Sequence, residues 1–151
     1  MTFHDGTPFN ADAVCFNFDR QNNFTGVAQS ASLSYYWGAL MRGYADTGTS
    51  IYGGCEADGD DTVTLKLTQP FAGFIPALSL PAFAIQSPTA LEKYAADEVG
   101  GTAEAPTLSE YAQGHPTGTG PFMFDSWEPG AETTLSAYDG YWGDQGQVTK
   151  V

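Results

Sequence analysis

The chain has 151 residues, of which 42% are hydrophobic, and this is enough for one ordinary domain with an apolar core. Eighteen acidic residues outnumber five basic ones, which gives a formal net charge of −13 at pH 7. Because such a field repels polyanions, we expect no binding to nucleic acid or to an anionic membrane surface. The chain shows no apolar run of the roughly 20 residues that a membrane span needs, and no signal-peptide pattern.

The first predicted helix follows a turn, in the segment HDGTPFNADAVCFNFDR. Asp5-Gly6 is typical of the turn, and the side chain of Asn10 can accept a hydrogen bond from a free amide of the first helical turn. Apolar side chains then recur at the spacing of one helix face: Ala11, Val14, Cys15 and Phe18. This spacing predicts that Cys15 faces a core.

A second helical pattern, from Ser32 to Tyr44, is rich in aromatic residues. Tyr35, Tyr36 and Trp37 follow one another near its start. Two interpretations of these three residues stay open. They pack in a core, as aromatics at helical spacing commonly do, or they line a ligand cleft, where an aromatic ring offers apolar contact and a polar tip.

The central segment predicts a strand and two further helices. Residues 62–68, TVTLKLT, alternate apolar and polar side chains, so this strand has one buried face; ADGDD supplies a turn, and SIY at residues 50–52 is the predicted partner strand. Helical spacing returns after Pro70, in Phe71, Phe74, Ile75 and Leu78. Ser87 and Pro88 then predict the capping residue and first residue of another helix.

The C-terminal third predicts a surface loop, over residues 97–117, and then a β-hairpin around the turn 128–130. Gly118-Thr119-Gly120 lacks the third glycine and the following helix that a dinucleotide-binding loop requires. We therefore interpret it as the entry to a strand. Taken together, these elements predict a mixed α/β chain.

No residue pattern predicts catalysis, metal binding or a cofactor. His4 and His115 are the only histidines, and neither has a second ligand at helical spacing. Asp58, Asp60 and Asp61 lack the glycine and glutamate spacing of a calcium loop. No serine or cysteine lies in a nucleophile motif, and no pair of carboxylates stands out for glycoside hydrolysis. We predict no catalytic residue, no metal ligand and no cofactor.

Two cysteines, Cys15 and Cys55, fit neither a zinc site nor a CxxC redox motif. From the residues alone, two buried thiols and one disulfide are both compatible with their positions.

Four blocks of the sequence carry a family resemblance: TFHDGTPFNADAVCFNFDR, DTVTLKLTQPFAGFIPALSLPAFAIQSPTAL, HPTGTGPFMFDSWEPG and YDGYWG. In this order and approximate spacing they resemble the family 5 extracellular solute-binding proteins, the peptide, dipeptide and nickel receptors of bacterial ABC importers. The resemblance implies a two-lobed periplasmic-binding-protein fold of the type II kind. It further implies that residues 1–151 are a fragment of the first lobe and that the second lobe is absent.

The resemblance also implies a receptor rather than an enzyme. The full-length protein would capture a peptide or a related small solute and deliver it to ABC permease subunits. It would lie outside the cytoplasm, in the periplasm or extracellularly, held to the membrane by a lipid anchor that this chain lacks. An exported receptor favours a Cys15–Cys55 disulfide.

Ligand-contacting residues are carried over from the family by position. The segment after the first helix, here Tyr35, Tyr36 and Trp37, resembles the part that places an aromatic residue in the cleft. Ala82 and Phe83, after LSLP, resemble a second cleft-lining piece. Two other functions remain as alternatives: an extracellular hydrolase acting on sugars or peptides, and a structural or interaction module that uses exposed aromatics as its contact surface.

Overall fold

A computed structural model describes all residues of the chain, 1–151. The chain divides into two compact units. Unit 1 comprises residues 1–9, 85–98 and 108–151, and unit 2 comprises residues 10–84 and 99–107. No helix combines the length and the apolar character that crossing a bilayer requires.

The secondary structure is mixed α/β, in agreement with the fold class expected from the sequence. In chain order the elements are α1 (Ala11–Asn22), α2 (Ala31–Met41), β1 (Tyr52–Asp58), β2 (Thr62–Leu67), α3 (Phe74–Ala77), α4 (Pro88–Lys93), β3 (Gly100–Gly101), β4 (Pro106–Thr107), α5 (Glu110–Gly114), β5 (Phe122–Glu128) and β6 (Glu132–Ala137). Short 3-10 helices span Gly26–Gln29, Ala45–Thr47 and Pro81–Phe83.

Helix α1 opens unit 2 as the sequence predicts. The side chain of Asn10 accepts a hydrogen bond from the amide of Ala13 at 3.0 Å, which satisfies one of the free donors at the helix start. Ala11 and Phe18 are buried, whereas Val14 and Cys15 are only partly buried. The predicted apolar face is therefore confirmed at Ala11 and Phe18, and it is less deeply buried at Val14 and Cys15.

Strands β1 and β2 form an antiparallel hairpin, with Cys55 opposite Leu65. The apolar side chains of β2 are half-buried and its polar ones are exposed, which confirms the predicted one-sided strand. The predicted partner strand at residues 50–52 was wrong for all but Tyr52, because β1 runs through two glycines that have low strand propensity. Gly54 has a φ of 116°, next to an irregularity of register, and only glycine adopts this conformation without strain.

The centre of unit 2 is formed by α2 and the segments that follow it. Trp37, Met41 and Ile51 have no exposed surface. Helix α2 ends at Met41, earlier than the Tyr44 predicted, because Arg42 adopts the left-handed conformation with a φ of 62°. Helix α3 is a single turn of four residues, shorter than the apolar spacing predicted.

In unit 1 the predicted starts of two elements are confirmed. The Ser87 hydroxyl accepts a hydrogen bond from the Ala90 amide at 3.2 Å, with Pro88 in the first turn of α4. Strands β5 and β6 form the predicted antiparallel hairpin, in which Phe122 lies opposite Ala137. The chain end extends this pairing, since Leu135 and Val151 exchange two backbone hydrogen bonds of 2.8 and 2.9 Å.

The predicted loop over residues 97–117 was wrong in part. Strands β3 and β4 pair within it, and α5 forms at its end. Ser109 caps α5 by accepting from the Ala112 amide at 3.3 Å, and Tyr111 is buried with 6% exposure. The capping serine, the buried ring and a hydrogen bond from the Tyr111 amide to the Tyr94 carbonyl hold this short helix, and none of them produces an apolar period in the sequence.

Candidate functional site

Trp37, one of the expected cleft residues, lies in an aromatic cluster at the core of unit 2. Its ring centroid is 5.5 Å from that of Tyr52, 6.0 Å from that of Phe83 and 6.1 Å from that of Phe18. Its indole nitrogen donates to the backbone oxygen of Gly43 at 3.2 Å, so the polar tip also has a partner. The Trp37 side chain, at 0% exposure, has no surface with which to contact a ligand in this structure, which favours the core interpretation of this residue over the cleft interpretation.

The two tyrosines before Trp37 point elsewhere. Tyr35 is 59% exposed and Tyr36 is 48% exposed. Their rings meet edge to face, with centroids 5.4 Å apart and planes at 77°. Successive residues of a helix are rotated by about 100°, so burying Trp37 in the core turns its two predecessors away from it. Together they form an exposed aromatic pair, which is the arrangement expected of a contact surface.

The second expected segment, Ala82 and Phe83, lies on the 3-10 helix that follows Leu80. Phe83 is 5% exposed and stacks at 6.2 Å on Phe18, which places it in the same cluster as Trp37. Like Trp37, Phe83 is thus buried rather than open to ligand, because its ring fills the space between α1 and α2. Ala82 is half-buried, and its carbonyl accepts from Nε2 of Gln21 at 3.1 Å.

Two members of this cluster, Phe18 and Tyr52, were not among the expected site residues. Tyr52 stacks on Phe18 at 6.0 Å, and its hydroxyl donates to Oδ1 of Asp19 at 2.6 Å. Burial raises the pKa of the Tyr52 hydroxyl, and the hydrogen bond to Asp19 and the charge of that carboxylate raise it further. Tyr52 is therefore a neutral donor at physiological pH. The helical period of α1 marks Phe18 as a core residue, but no sequence signal links Tyr52 to Asp19.

A disulfide joins α1 to β1 beside the cluster. The sulfur atoms of Cys15 and Cys55 are bonded, with their Cα atoms 5.2 Å apart and 40 positions apart in sequence. On the chain-entropy model, closing a loop of this length stabilises the folded chain by about 4 kcal/mol. The bond fixes the hairpin against the helix that carries Phe18 and Asp19.

No group of three or more histidine, cysteine, aspartate or glutamate side chains is arranged to hold a metal ion. The described polar contacts near the aromatic cluster are hydrogen bonds, such as those of Ser34, whose hydroxyl lies 2.6 Å from both the Ala28 carbonyl and the Tyr44 hydroxyl. These buried contacts hold the core of unit 2 together, and the aromatic surface next to them that is open to solvent is the pair Tyr35 and Tyr36.

Known proteins resemble the chain over most of its length. The family model described as "Bacterial extracellular solute-binding proteins, family 5 Middle" matches residues 1–151. The glutathione-binding protein GsiB of Shigella flexneri is 37% identical over 142 residues. That match covers 94% of this chain and 22% of GsiB, so the chain spans less than a quarter of the length of this curated relative.

Solved structures show the same likeness. The ABC transporter-associated periplasmic binding protein DppA from Helicobacter pylori, in complex with the peptide STSA, superposes with a TM-score of 0.67 and 25% identity, over 98% of this chain and 28% of that one. The nickel ABC transporter structure from Bacillus halodurans gives a TM-score of 0.63 and 25% identity, over 99% of this chain and 24% of that one. The fold is therefore a partial lobe of a periplasmic binding protein.

Proposed function

The chain belongs to family 5 of the bacterial extracellular solute-binding proteins, and on this premise we propose that it is part of the receptor of an ABC importer that captures peptides or a related small solute. The observation that carries the proposal is the family match over residues 1–151. The likeness to structures of a peptide-binding protein and a nickel transporter protein supports it.

In the proposed mechanism, residues 1–151 supply part of the first lobe of a two-lobed clamp. A ligand that makes more contacts in the closed form of the receptor shifts the population toward that form. The permease subunits then recognise the closed form. The receptor performs no chemistry on its ligand. It works outside the cytoplasm, held to the membrane by a lipid anchor in the full-length protein, where oxidising conditions preserve a disulfide such as Cys15–Cys55.

The exposed pair Tyr35 and Tyr36 is the proposed ligand contact of this chain, and half-buried Ala82, from the second carried-over segment, is a further proposed contact. Trp37 and Phe83 have a supporting role in the proposal, because their burial in the cluster fixes the backbone that presents the tyrosines. A net charge of −13 favours neutral or cationic solutes, and tyrosine faces attract cations by cation–π interaction.

Calorimetric titration of a panel of short neutral and cationic peptides, with glutathione as the anionic comparison, tests the proposal. We expect saturable binding of at least one ligand by the full-length receptor. Binding by residues 1–151 alone should be far weaker, because the chain lacks most of the surface that encloses a ligand. Equal affinity of the two would contradict a partial-lobe role, and absence of binding by the full-length receptor across the panel would contradict the proposed ligand class.

A further inference from the structure

Unit 1 contains a cavity of about 370 Å³ that none of the candidate receptor residues line. Its volume lies in the range of roughly 300–1,000 Å³ that is usual for small-molecule sites. Part of the wall is apolar and is formed by Ala90, Pro116, Met123 and Phe124. This part suits a hydrocarbon or aromatic side chain of modest size.

Lys93 supplies a positive charge at the same cavity. Its ammonium lies 4.8 Å from the ring centroid of Tyr94, and this ring stacks on His115 with centroids 3.6 Å apart and planes at 4°. A hydrogen bond and charge interaction with Tyr94 raise the pKa of Lys93, and the carboxylates of Asp5 and Glu110 contribute in the same direction. Lys93 is therefore cationic at physiological pH, and it lies over a ring rather than against a carboxylate.

Asp5 supplies an acceptor to the cavity, which also carries threonine and tyrosine hydroxyls, whereas His4 supplies none. Nε2 of His4 bonds to the carbonyl of Gly120 at 2.9 Å, and since a carbonyl only accepts, Nε2 carries the proton. Nδ1 of His4 has no hydrogen-bond partner, but it is buried without accessible surface and so does not face a ligand. Asp5, also in the lining, is held by the hydroxyls of Ser87 at 2.5 Å and Thr7 at 2.6 Å.

The cavity therefore combines a cation, a carboxylate and an apolar wall. We propose that it is a second ligand site, which takes a small zwitterion with an apolar side chain, that is, a free apolar α-amino acid. The carboxylate of the ligand pairs with Lys93 and its ammonium donates to Asp5. Its side chain packs on Met123 and Phe124. This inference goes beyond the proposed receptor function, because all the candidate cleft residues belong to unit 2.

Calorimetric or NMR titration of the 151-residue chain with L-phenylalanine tests the proposal. We expect saturable binding that Lys93→Gln weakens by about 3-fold or more, the size of effect usual for losing an ion pair at an exposed lysine. Lys66→Gln is the matched control, because it makes the same change of charge at a lysine that pairs with Glu56 in unit 2. It should leave the affinity unchanged.

Two analogues of L-phenylalanine test separately how much the carboxylate and the ammonium of the ligand contribute to binding. L-phenylalaninamide lacks the carboxylate and 3-phenylpropionate lacks the ammonium, so each should bind more weakly than L-phenylalanine. Circular dichroism checks that Lys93→Gln folds, which we expect because Lys93 is exposed. No saturable binding of L-phenylalanine, equal effects of the two lysine substitutions, or undiminished binding of both analogues would each overturn the proposal. None of these outcomes bears on peptide capture through Tyr35 and Tyr36.

Discussion

Units 1 and 2 place their functional groups in opposite ways. Unit 2 buries Trp37 and Phe83 in an aromatic cluster beside a disulfide, and leaves Tyr35 and Tyr36 exposed to solvent. Unit 1 holds Lys93 and two histidines around a cavity. Residue type alone therefore does not reveal a role in this chain. Whether a side chain is enclosed by its neighbours or left open decides between packing and recognition.

The largest effect should come from emptying the aromatic cluster. Trp37→Ala removes a fully buried indole with three aromatic neighbours, and we expect the free energy of unfolding to fall by about 3–5 kcal/mol. Guanidinium denaturation measures this change. If the free energy of unfolding fell by less than about 1 kcal/mol, Trp37 would not be a core residue. Trp37 would then again be a candidate for contacting the ligand.

The disulfide should contribute nearly as much. The double substitution Cys15→Ser, Cys55→Ser removes the cross-link between positions 40 apart, so the unfolded chain gains conformational entropy. We expect the free energy of unfolding to fall by about 2–4 kcal/mol. Thermal unfolding with and without reductant gives the same comparison without mutation. The double variant serves as the control, since reductant should not change its unfolding temperature; a parent chain that is equally insensitive to reductant would contradict the account.

A smaller and pH-dependent effect is expected in unit 1. Partial burial raises the pKa of Asp5, but hydrogen bonds from Ser87 and Thr7 outweigh it and hold the pKa below its ordinary 3.8. A lowered folded pKa stabilises the protein above the unfolded pKa, and this stability is lost as pH falls through the folded pKa.

Asp5→Asn should therefore cost about 1 kcal/mol at neutral pH, a value at the low end because Asp5 is partly solvated. Denaturation of the parent and the variant at several pH values should show the difference shrinking in acid. A difference that stays constant from neutral pH to about pH 2 would contradict the proposed role of the hydrogen bonds.

Local signals in the sequence predicted the starts of α1 and α4, strand β2 and the hairpin of β5 and β6. Asn10 and Ser87 form caps through contacts within three residues, so their chemistry is visible without the fold. The burial of Trp37 depends on Tyr52 and Phe83, which lie 15 and 46 positions away in the chain. No local pattern encodes such contacts. Strand β1 was missed for a related reason, because its glycines pair only when β2 supplies a partner.

We propose that Tyr35 and Tyr36 contact the ligand and that buried Trp37 supports them. Ligand binding to the full-length receptor tests this most directly. In the Tyr35→Ala, Tyr36→Ala double variant we expect the affinity for its peptide or solute to fall by about 10-fold or more. The unfolding temperature should stay within about 2 °C of the parent, since both rings are exposed. Unchanged affinity in this double variant would contradict the central claim that the exposed pair contacts the ligand.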